Sequence, residues 1–407
     1  GQDYFSPQAM SFFLYLCVLG IVLTWLTRAS HPNFTQMRNT LAASGLKARF
    51  KEWANHILPE GAERSLPRQR VGLLITLCLF FYVIVSSHQL TPFMLISALI
   101  LLVIFQITRL WSLPVILAGM TISWILFMGE TFLSGHLDWI TRTIGLLTGN
   151  FAANFHNLNL ASPGQILVAW MDRGLTALVG ILAVIGFIRR FKNGKRDLPS
   201  VLLILAPLPM IAANAYGGEM VFRVYLFALP FLAFFAASVI YTTPWFGRNI
   251  NAGLQSILLS VVILFGFFFG YYGKEQMYYF SKDEVQAAEF LNSTAPPKSI
   301  LMSGTPEWLL QYKHYEWYDY LAISDLPKNQ RAELLKDPVK WLLYNMQDNP
   351  EAYFVISRSQ IAQVDTTGML PKGTLQQLET LLLKSPNFKV VFSNPDAIVF
   401  ERVNPSK

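Results

Sequence analysis

Long apolar runs constrain this chain more than any other feature. Eight of them are long and apolar enough to cross a hydrocarbon core of about 30 Å as helices. Helices are the expected form, because lipid offers no hydrogen bonds to a spanning backbone. The eight runs lie near residues 10–27, 71–87, 93–109, 111–128, 166–188, 198–215, 222–241 and 255–272.

The composition supports a polytopic α-helical membrane protein. Hydrophobic residues make up 53% of the chain and charged residues 14%, whereas a soluble domain carries about 25% charged residues. The net charge of +7 comes from basic residues clustered between the apolar runs, which favours membrane-edge loops over a nucleic-acid surface. Cys17 and Cys78 both fall inside apolar runs, so no disulfide framework is expected.

Lysine and arginine are concentrated in alternate loops and predict the orientation. The 28–70 loop, Arg109, residues 189–196 and Arg248 form the basic set, which the positive-inside rule places in the cytoplasm. The protein is therefore expected in the plasma (inner) membrane, with multiple crossings and an extracytoplasmic C-terminal domain. The outer face then carries these polar residues: Asp3, His88, Glu130, His136, Asp138, Arg142, His156, Glu219 and Arg223.

Two domains are predicted. Residues 1–272 form the transmembrane domain, with a cytoplasmic amphipathic loop at 28–70 and an extracytoplasmic loop at 129–165. After residue 273 the apolar runs shorten and charges return, which indicates a soluble α/β domain over 273–407, with strand-like segments at 299–303, 353–357, 388–392 and 397–400. Within it, Tyr312 to Tyr320 is dense in aromatic residues. That segment is compatible with a membrane contact, a ligand contact or core packing.

The turn from Tyr216 to Arg223 is the strongest candidate for a functional site. It reads Tyr-Gly-Gly-Glu-Met-Val-Phe-Arg and interrupts two apolar runs. Charges at a membrane edge are costly and mark functional sites by default. The alternative is a tight turn in which Glu219 and Arg223 pair one helical turn apart.

Three further segments are predicted to face the same side. Residues 1–9 place Asp3 before a helix that starts near Pro7, and residues 88–92 offer His88, Gln89 and Thr91 for hydrogen bonding. The 129–165 loop is rich in tryptophan and amides, as sugar-binding loops and ordinary surface loops both are. It contributes three further candidates, which are Glu130, Arg142 and His156.

Three of these segments resemble a known class of proteins. Asp3 to Gln8 (DYFSPQ), His88 to Pro92 (HQLTP) and Tyr216 to Glu219 with Arg223 (YGGE…R) are similar to segments of bacterial membrane proteins grouped with the GT-C glycosyltransferases. The resemblance implies a polyprenyl-phosphate-linked sugar donor and transfer on the outer face. It also implies a catalytic Asp or Glu in the first outer loop. Because the chain begins with Gly1, that loop and further N-terminal spans are expected upstream.

The leading hypothesis is a transferase that moves a sugar from the lipid-linked donor to a glycan or protein acceptor. Glu219, Asp3 and Glu130 are candidate bases, since a membrane-edge carboxylate is suited to accept a proton. Arg223 and Arg142 would bind the leaving phosphate. His88, Gln89, His156 and Tyr216 complete the predicted substrate-binding set.

Two non-enzymatic functions stay open at this stage. One is a transporter or flippase of lipid-linked glycans, and the other is a membrane scaffold whose outer domain binds cell-wall polymers. The near absence of charge within the spans counts against a transporter. A divalent metal is compatible with the mix of carboxylates and imidazoles, but no ligand spacing identifies one.

Overall fold

The computed structural model describes residues 6–27, 66–130, 160–195, 197–213, 219–241, 252–306, 308–349 and 351–403. Contacts divide these residues into two units. The membrane unit contains the described residues of 6–130 and 176–259, and the sheet unit contains 160–175 and those from 260 onward. Most of the predicted 28–70 and 129–165 loops lies outside the described residues.

Each of the eight predicted apolar runs contains at least one helix among its described residues. Among the described residues, five helices are long and apolar enough to cross a membrane, and three runs form shorter helices. The helices are α1 (Pro7–Trp25), α2 (Pro67–Ser87), α3 (Thr91–Ile104), α4 (Ser112–Phe127), α5 (Pro163–Lys192), α6 (Leu198–Leu205), α7 (Met210–Ala213), α8 (Met220–Tyr241) and α9 (Ala252–Tyr272).

In two of the shorter runs the helix is interrupted where the hydropathy predicts that it continues. Helix α3 stops at Ile104, and Gln106 follows with a φ of 61°, a left-handed conformation that ends the helical ladder. The run at 198–215 breaks between α6 and α7, where Pro207 and Pro209 lack the N–H groups that a continuous helix needs. Hydropathy alone registers neither interruption, because both lie within apolar sequence.

Aromatic and aliphatic side chains form the core of the membrane unit. The Tyr15 ring of α1 lies edge-on to the Phe227 ring of α8, with centroids 4.9 Å apart. Phe81 of α2 and Met94 of α3 are fully buried in the same cluster. This packing holds α1, α2, α3 and α8 against one another.

Helix α9 exposes the apolar side chains that a helix in water would bury. Ile257, Val261 and Phe265 are all more than half exposed. A continuous apolar surface of this kind is unfavourable in water and stable in hydrocarbon. The helical part of the chain is therefore a membrane protein.

The sheet unit is an α/β domain. Its elements are α10 (Glu275–Tyr278), α11 (Lys282–Thr294), β1 (Ile300–Ser303), β2 (Asp319–Ala322), α12 (Lys328–Lys336), α13 (Pro338–Asn345), β3 (Ala352–Ser357), α14 (Arg358–Thr367), α15 (Thr374–Lys384), β4 (Phe388–Ser393) and β5 (Ala397–Arg402). The five strands are ordered β2-β1-β3-β5-β4. Strands β2, β1 and β3 are parallel, and β5 runs antiparallel to both β3 and β4.

Both faces of the sheet are covered, as the fully buried strands β1 and β3 require. Successive side chains point to opposite faces. Tyr353 therefore packs with Leu291 of α11, while Phe354 packs with Leu342 of α13 and Leu378 of α15. The result is a three-layer domain with one hydrophobic core on each side of the sheet.

A buried carboxylate ties α11 to α14. Glu284 is fully buried and accepts hydrogen bonds from the backbone and side chain of Ser359, the Ser281 backbone and Arg358. Burial alone would raise the pKa of Glu284, but the hydrogen bonds from Ser359, Ser357 and Ser281 outweigh it and hold the pKa below its ordinary value. Glu284 therefore holds α11 and α14 together inside the sheet unit.

Candidate functional site around Arg223

Four of the predicted site residues line one cavity in the membrane unit. These are His88, Gln89, Glu219 and Arg223. Glu130 lies exposed beyond the end of α4 and is not among the described residues that line the cavity. Four other predicted site residues lie outside the described part of the chain, and they are Asp3, Arg142, His156 and Tyr216.

The guanidinium group of Arg223 lies at the centre of this site. Nη1 donates to Gln8 Oε1 at 2.5 Å and lies 3.4 Å from His88 Nε2. Nη2 donates to Glu219 Oε2 at 2.7 Å. Side chains from the start of α1, the end of α2 and the start of α8 therefore meet on one cation.

Local sequence places these side chains at helix ends. Ser6 is extended and Pro7 occupies the first position of α1, so Gln8 lies in the first helical turn. His88 is the residue at which α2 ends. Arg223 lies one helical turn after Glu219 in the first turn of α8, which lets the two side chains pair.

The imidazole of His88 is held from both sides. Its Nδ1 lies 2.9 Å from Thr91 Oγ1, across the short connection between α2 and α3. Burial, together with the positive charge of Arg223, lowers the pKa of His88 to about 4. The ring is therefore neutral at physiological pH, and Arg223 supplies the positive charge among the described residues that line the cavity.

The cavity has the size and lining of a small-molecule site. Its volume is about 620 Å³, within the range of about 300–1,000 Å³ that ligand pockets show. The lining combines hydroxyl and amide groups with the apolar side chains of Phe222 and Leu226. Such a lining can bind a ligand with hydroxyl groups, one anionic group and an apolar portion. The hydroxyl and amide groups belong to Ser6, Gln8, Ser87 and Gln89.

Glu219 and Arg223 differ strongly in exposure. The Glu219 side chain is 62% exposed, whereas that of Arg223 is 17% exposed. An exposed pair of this kind is worth roughly 0–1 kcal/mol, because water and salt compete for it. The carboxylate can therefore leave the guanidinium at small cost when another anion arrives.

No cluster of three or more His, Cys, Asp or Glu side chains suitable for a metal ion occurs among the described residues. The carboxylate and imidazole nearest to Arg223 both contact that cation. A guanidinium at the centre of these contacts suits an anionic group.

Gln8 is the contact of Arg223 that the sequence did not predict. It belongs to the polar segment before α1, but its partner Arg223 lies 215 residues away. A glutamine beside a helix-starting proline gives no local signal of such a contact. The remaining signal was the polarity of Ser6 and Gln8 before an apolar run.

Comparisons with known proteins add no further assignment, since no family model and no curated protein matches this chain. The fold and the cavity define the class on their own. The protein is a helical membrane protein with an α/β domain toward its C-terminus, and its membrane unit contains an arginine-centred cavity.

Proposed function

We propose that the protein is a membrane glycosyltransferase that uses a polyprenyl-phosphate-linked sugar. Arg223 binds the phosphate, Glu219 accepts the proton of the attacking hydroxyl, and His88, Gln8 and Gln89 position the donor. Asp3 is the alternative base. The acceptor is an extracytoplasmic glycan or protein.

One observation carries this proposal. The three polar segments that resemble glycosyltransferase sequence contribute Gln8, His88 and Glu219 to the contacts of a single guanidinium. Guanidinium groups bind phosphate through paired, charge-assisted hydrogen bonds. The hydroxyl and amide groups of the lining suit a sugar, and the apolar part of the lining suits the first carbons of an isoprenoid chain.

The proposed transfer step involves the acceptor, the lipid-linked donor, Arg223 and Glu219. An acceptor oxygen attacks the anomeric carbon, the new glycosidic bond forms, and the bond from that carbon to the phosphate oxygen breaks. The leaving polyprenyl phosphate keeps the electron pair and its growing negative charge is stabilised by Arg223. The acceptor proton passes to the Glu219 carboxylate and then to water.

Donor binding and base activation are linked through Arg223. In the unliganded cavity Nη2 is bonded to Glu219, so the carboxylate occupies part of the phosphate-binding fork. An incoming phosphate competes for the same N–H groups and displaces the exposed carboxylate. Glu219 thereby becomes available to accept a proton at the moment the donor is bound.

All eight apolar runs are proposed to cross the membrane, with the cavity and residues 273–407 on the extracytoplasmic side. The alternating loops of lysine and arginine support this orientation. The start of α1, the end of α2 and the start of α8 line the same cavity. Eight helices that cross the membrane in alternating directions would place these three ends on the same side. Membrane-impermeant labelling of single cysteines at exposed positions such as Tyr344, in oriented vesicles, tests the sidedness.

The direct test is consumption of a purified polyprenyl-phosphate sugar by the protein in lipid nanodiscs. We expect the labelled donor to be lost and free polyprenyl phosphate to accumulate. Arg223→Ala should reduce this turnover by about 100–1,000-fold, as removal of a group that stabilises a developing anion typically does. Arg68→Ala, which removes an exposed arginine at the start of α2, is the matched control.

The outcomes separate the three functions. Turnover that is retained in Arg223→Ala contradicts the assignment of the phosphate-binding residue. Donor that binds, crosses the bilayer and is recovered intact supports a transporter instead. If the protein does not interact with the donor, the transferase and the transporter are both excluded, and the scaffold function remains.

A further inference from the structure

An exposed aromatic loop lies on the sheet unit, outside the cavity and its chemistry. Six consecutive residues, 312–317, are all exposed. Four of them carry rings, although apolar rings normally stabilise a domain by being buried. Tyr318, which follows, is buried and marks the end of the loop. The ring-bearing residues are Tyr312, His314, Tyr315 and Trp317.

The loop is held firmly although its rings face solvent. The Lys298 backbone N–H donates to the Trp317 carbonyl at 2.7 Å, and the Tyr320 hydroxyl donates to the Tyr315 carbonyl at 2.9 Å. The Lys313 backbone N–H donates to the Asn292 side chain at 3.2 Å. A surface held in this way binds with a smaller loss of conformational entropy than a mobile loop.

A residue with left-handed backbone geometry lies among the rings. His314 has φ of 50° and ψ of 39°, a conformation that only a few per cent of non-glycine residues adopt, with asparagine, aspartate and histidine enriched among them. Its ring stacks on Trp317 with centroids 4.1 Å apart and planes within 11°. Left-handed non-glycine residues cluster at ligand-binding positions, among other functional sites.

Charge in the loop favours a sugar over a lipid surface. Lys313 and Glu316 are exposed between the rings, and the Tyr312 hydroxyl donates to Glu289. Carboxylates would lose hydration if the loop entered the hydrocarbon beneath the lipid headgroups, whereas they accept hydrogen bonds from sugar hydroxyls. Tyr315 is 64% exposed and Trp317 is 44% exposed, so both offer ring surface for stacking on pyranose C–H groups.

We propose that residues 312–317 form a glycan-binding surface, with Trp317 and Tyr315 as the stacking platform and Glu316 as a hydroxyl acceptor. The ligand class is a chain of pyranose units. The proposal does not depend on glycosyl transfer, since binding at this loop requires neither donor nor cavity. A pyranose chain bound at this loop belongs to the same chemical class as a glycan acceptor.

Saturation-transfer NMR and calorimetry test this with the full chain in nanodiscs. The probes are cellohexaose, chitohexaose, mannohexaose and laminarihexaose, without any lipid-linked donor. We expect saturable binding of at least one hexasaccharide. Trp317→Leu should weaken it at least tenfold, since leucine keeps apolar area but offers no ring, and Trp317→Phe should restore part of the affinity.

Tyr344→Ala is the matched control, because Tyr344 is a similarly exposed tyrosine of the same unit on helix α13. Its affinity should equal that of the wild type. Equal affinity in wild type and Trp317→Leu would overturn the proposal, as would the absence of saturable binding to all four probes. Both results can occur while the donor is still consumed at Arg223, which keeps this test separate from that of the transferase.

A lipid-facing loop is the competing outcome. A spin label at Tyr315→Cys, after replacement of Cys17 and Cys78, reports whether oxygen or a water-soluble nickel complex relaxes it more strongly. We expect the nickel complex to dominate. Preferential relaxation by oxygen would show burial in the bilayer and would overturn glycan binding in favour of membrane docking.

Discussion

Each of the two units contains a glutamate–arginine pair, and the two pairs are built differently. Glu284 is fully buried and its carboxylate accepts from two serines as well as from Arg358. Glu219 is 62% exposed and contacts Arg223, whose guanidinium is the more buried partner. In the sheet unit the anion is enclosed, whereas in the membrane unit the cation is enclosed and the anion faces the cavity.

The difference separates a structural pair from an exchangeable one. Removing Glu284 would leave backbone and hydroxyl donors unsatisfied in a dry interior, which is costly. Displacing Glu219 exposes Arg223 to the cavity, where an incoming anion can take its place. The same two residue types therefore stabilise a fold in one unit and prepare a binding site in the other.

The largest effect is expected where the anion is enclosed. Glu284→Ala should destabilise the sheet unit by about 2–4 kcal/mol, because several donors lose a charged acceptor. Hydrogen-exchange mass spectrometry of peptides from α11 and α14 should show exchange roughly 100-fold faster. Glu219→Ala should leave the exchange of those peptides unchanged. Equal exchange in wild type and Glu284→Ala would show that Glu284 does not hold α11 and α14 together.

Acid should affect the membrane unit through His88. Its pKa of about 4 in the folded protein lies below the ordinary 6.5, so the unfolded state binds more protons between these values. The contribution of the neutral ring to stability is complete above pH 6.5 and is lost as the pH falls towards 4. His88→Gln should lose fewer degrees of melting temperature over this interval, as measured by scanning fluorimetry in nanodiscs.

Gln8→Leu should have a smaller effect that appears in binding. Leucine preserves the volume of the side chain but removes the carbonyl that accepts from Arg223 Nη1, so the guanidinium loses one of its orienting contacts. We expect KM for the donor to rise about tenfold, about 1.4 kcal/mol, with a smaller change in kcat. Gln8→Asn, which keeps a shorter amide, should recover part of the loss. An unchanged KM would show that Gln8 does not position Arg223.

The membrane helices and most of the sheet could be predicted from the sequence because their signals are local. Apolar length predicted the runs, and the strand-like segments at 299–303, 353–357, 388–392 and 397–400 contain β1, β3, β4 and β5 or overlap them. Strand β2 was missed, since Asp319–Ala322 overlaps the end of the aromatic segment and lacks the apolar continuity of β1. Its pairing with β1 is a tertiary contact that four residues cannot encode.

The site was partly predictable for the same reason. The Glu219–Arg223 pair follows from their spacing of one helical turn, and the membrane-edge charges singled out His88. That His88, Gln8 and Arg223 meet depends on the packing of α1, α2 and α8 through Tyr15, Phe81 and Phe227. Apolar helix pairs of this kind carry no residue-specific partner signal in a single sequence.

The most direct test of the exchangeable pair is the affinity of Glu219→Gln for geranyl monophosphate, measured by calorimetry in nanodiscs. Inorganic phosphate shows whether the anion alone suffices, and geraniol is the uncharged control. If Glu219 competes with phosphate for Arg223, the variant should bind the probe about three- to fivefold more tightly than the wild type, since an exposed pair is worth up to about 1 kcal/mol. Weaker binding by Glu219→Gln would contradict the account, because Glu219 would then be holding Arg223 in place for the ligand.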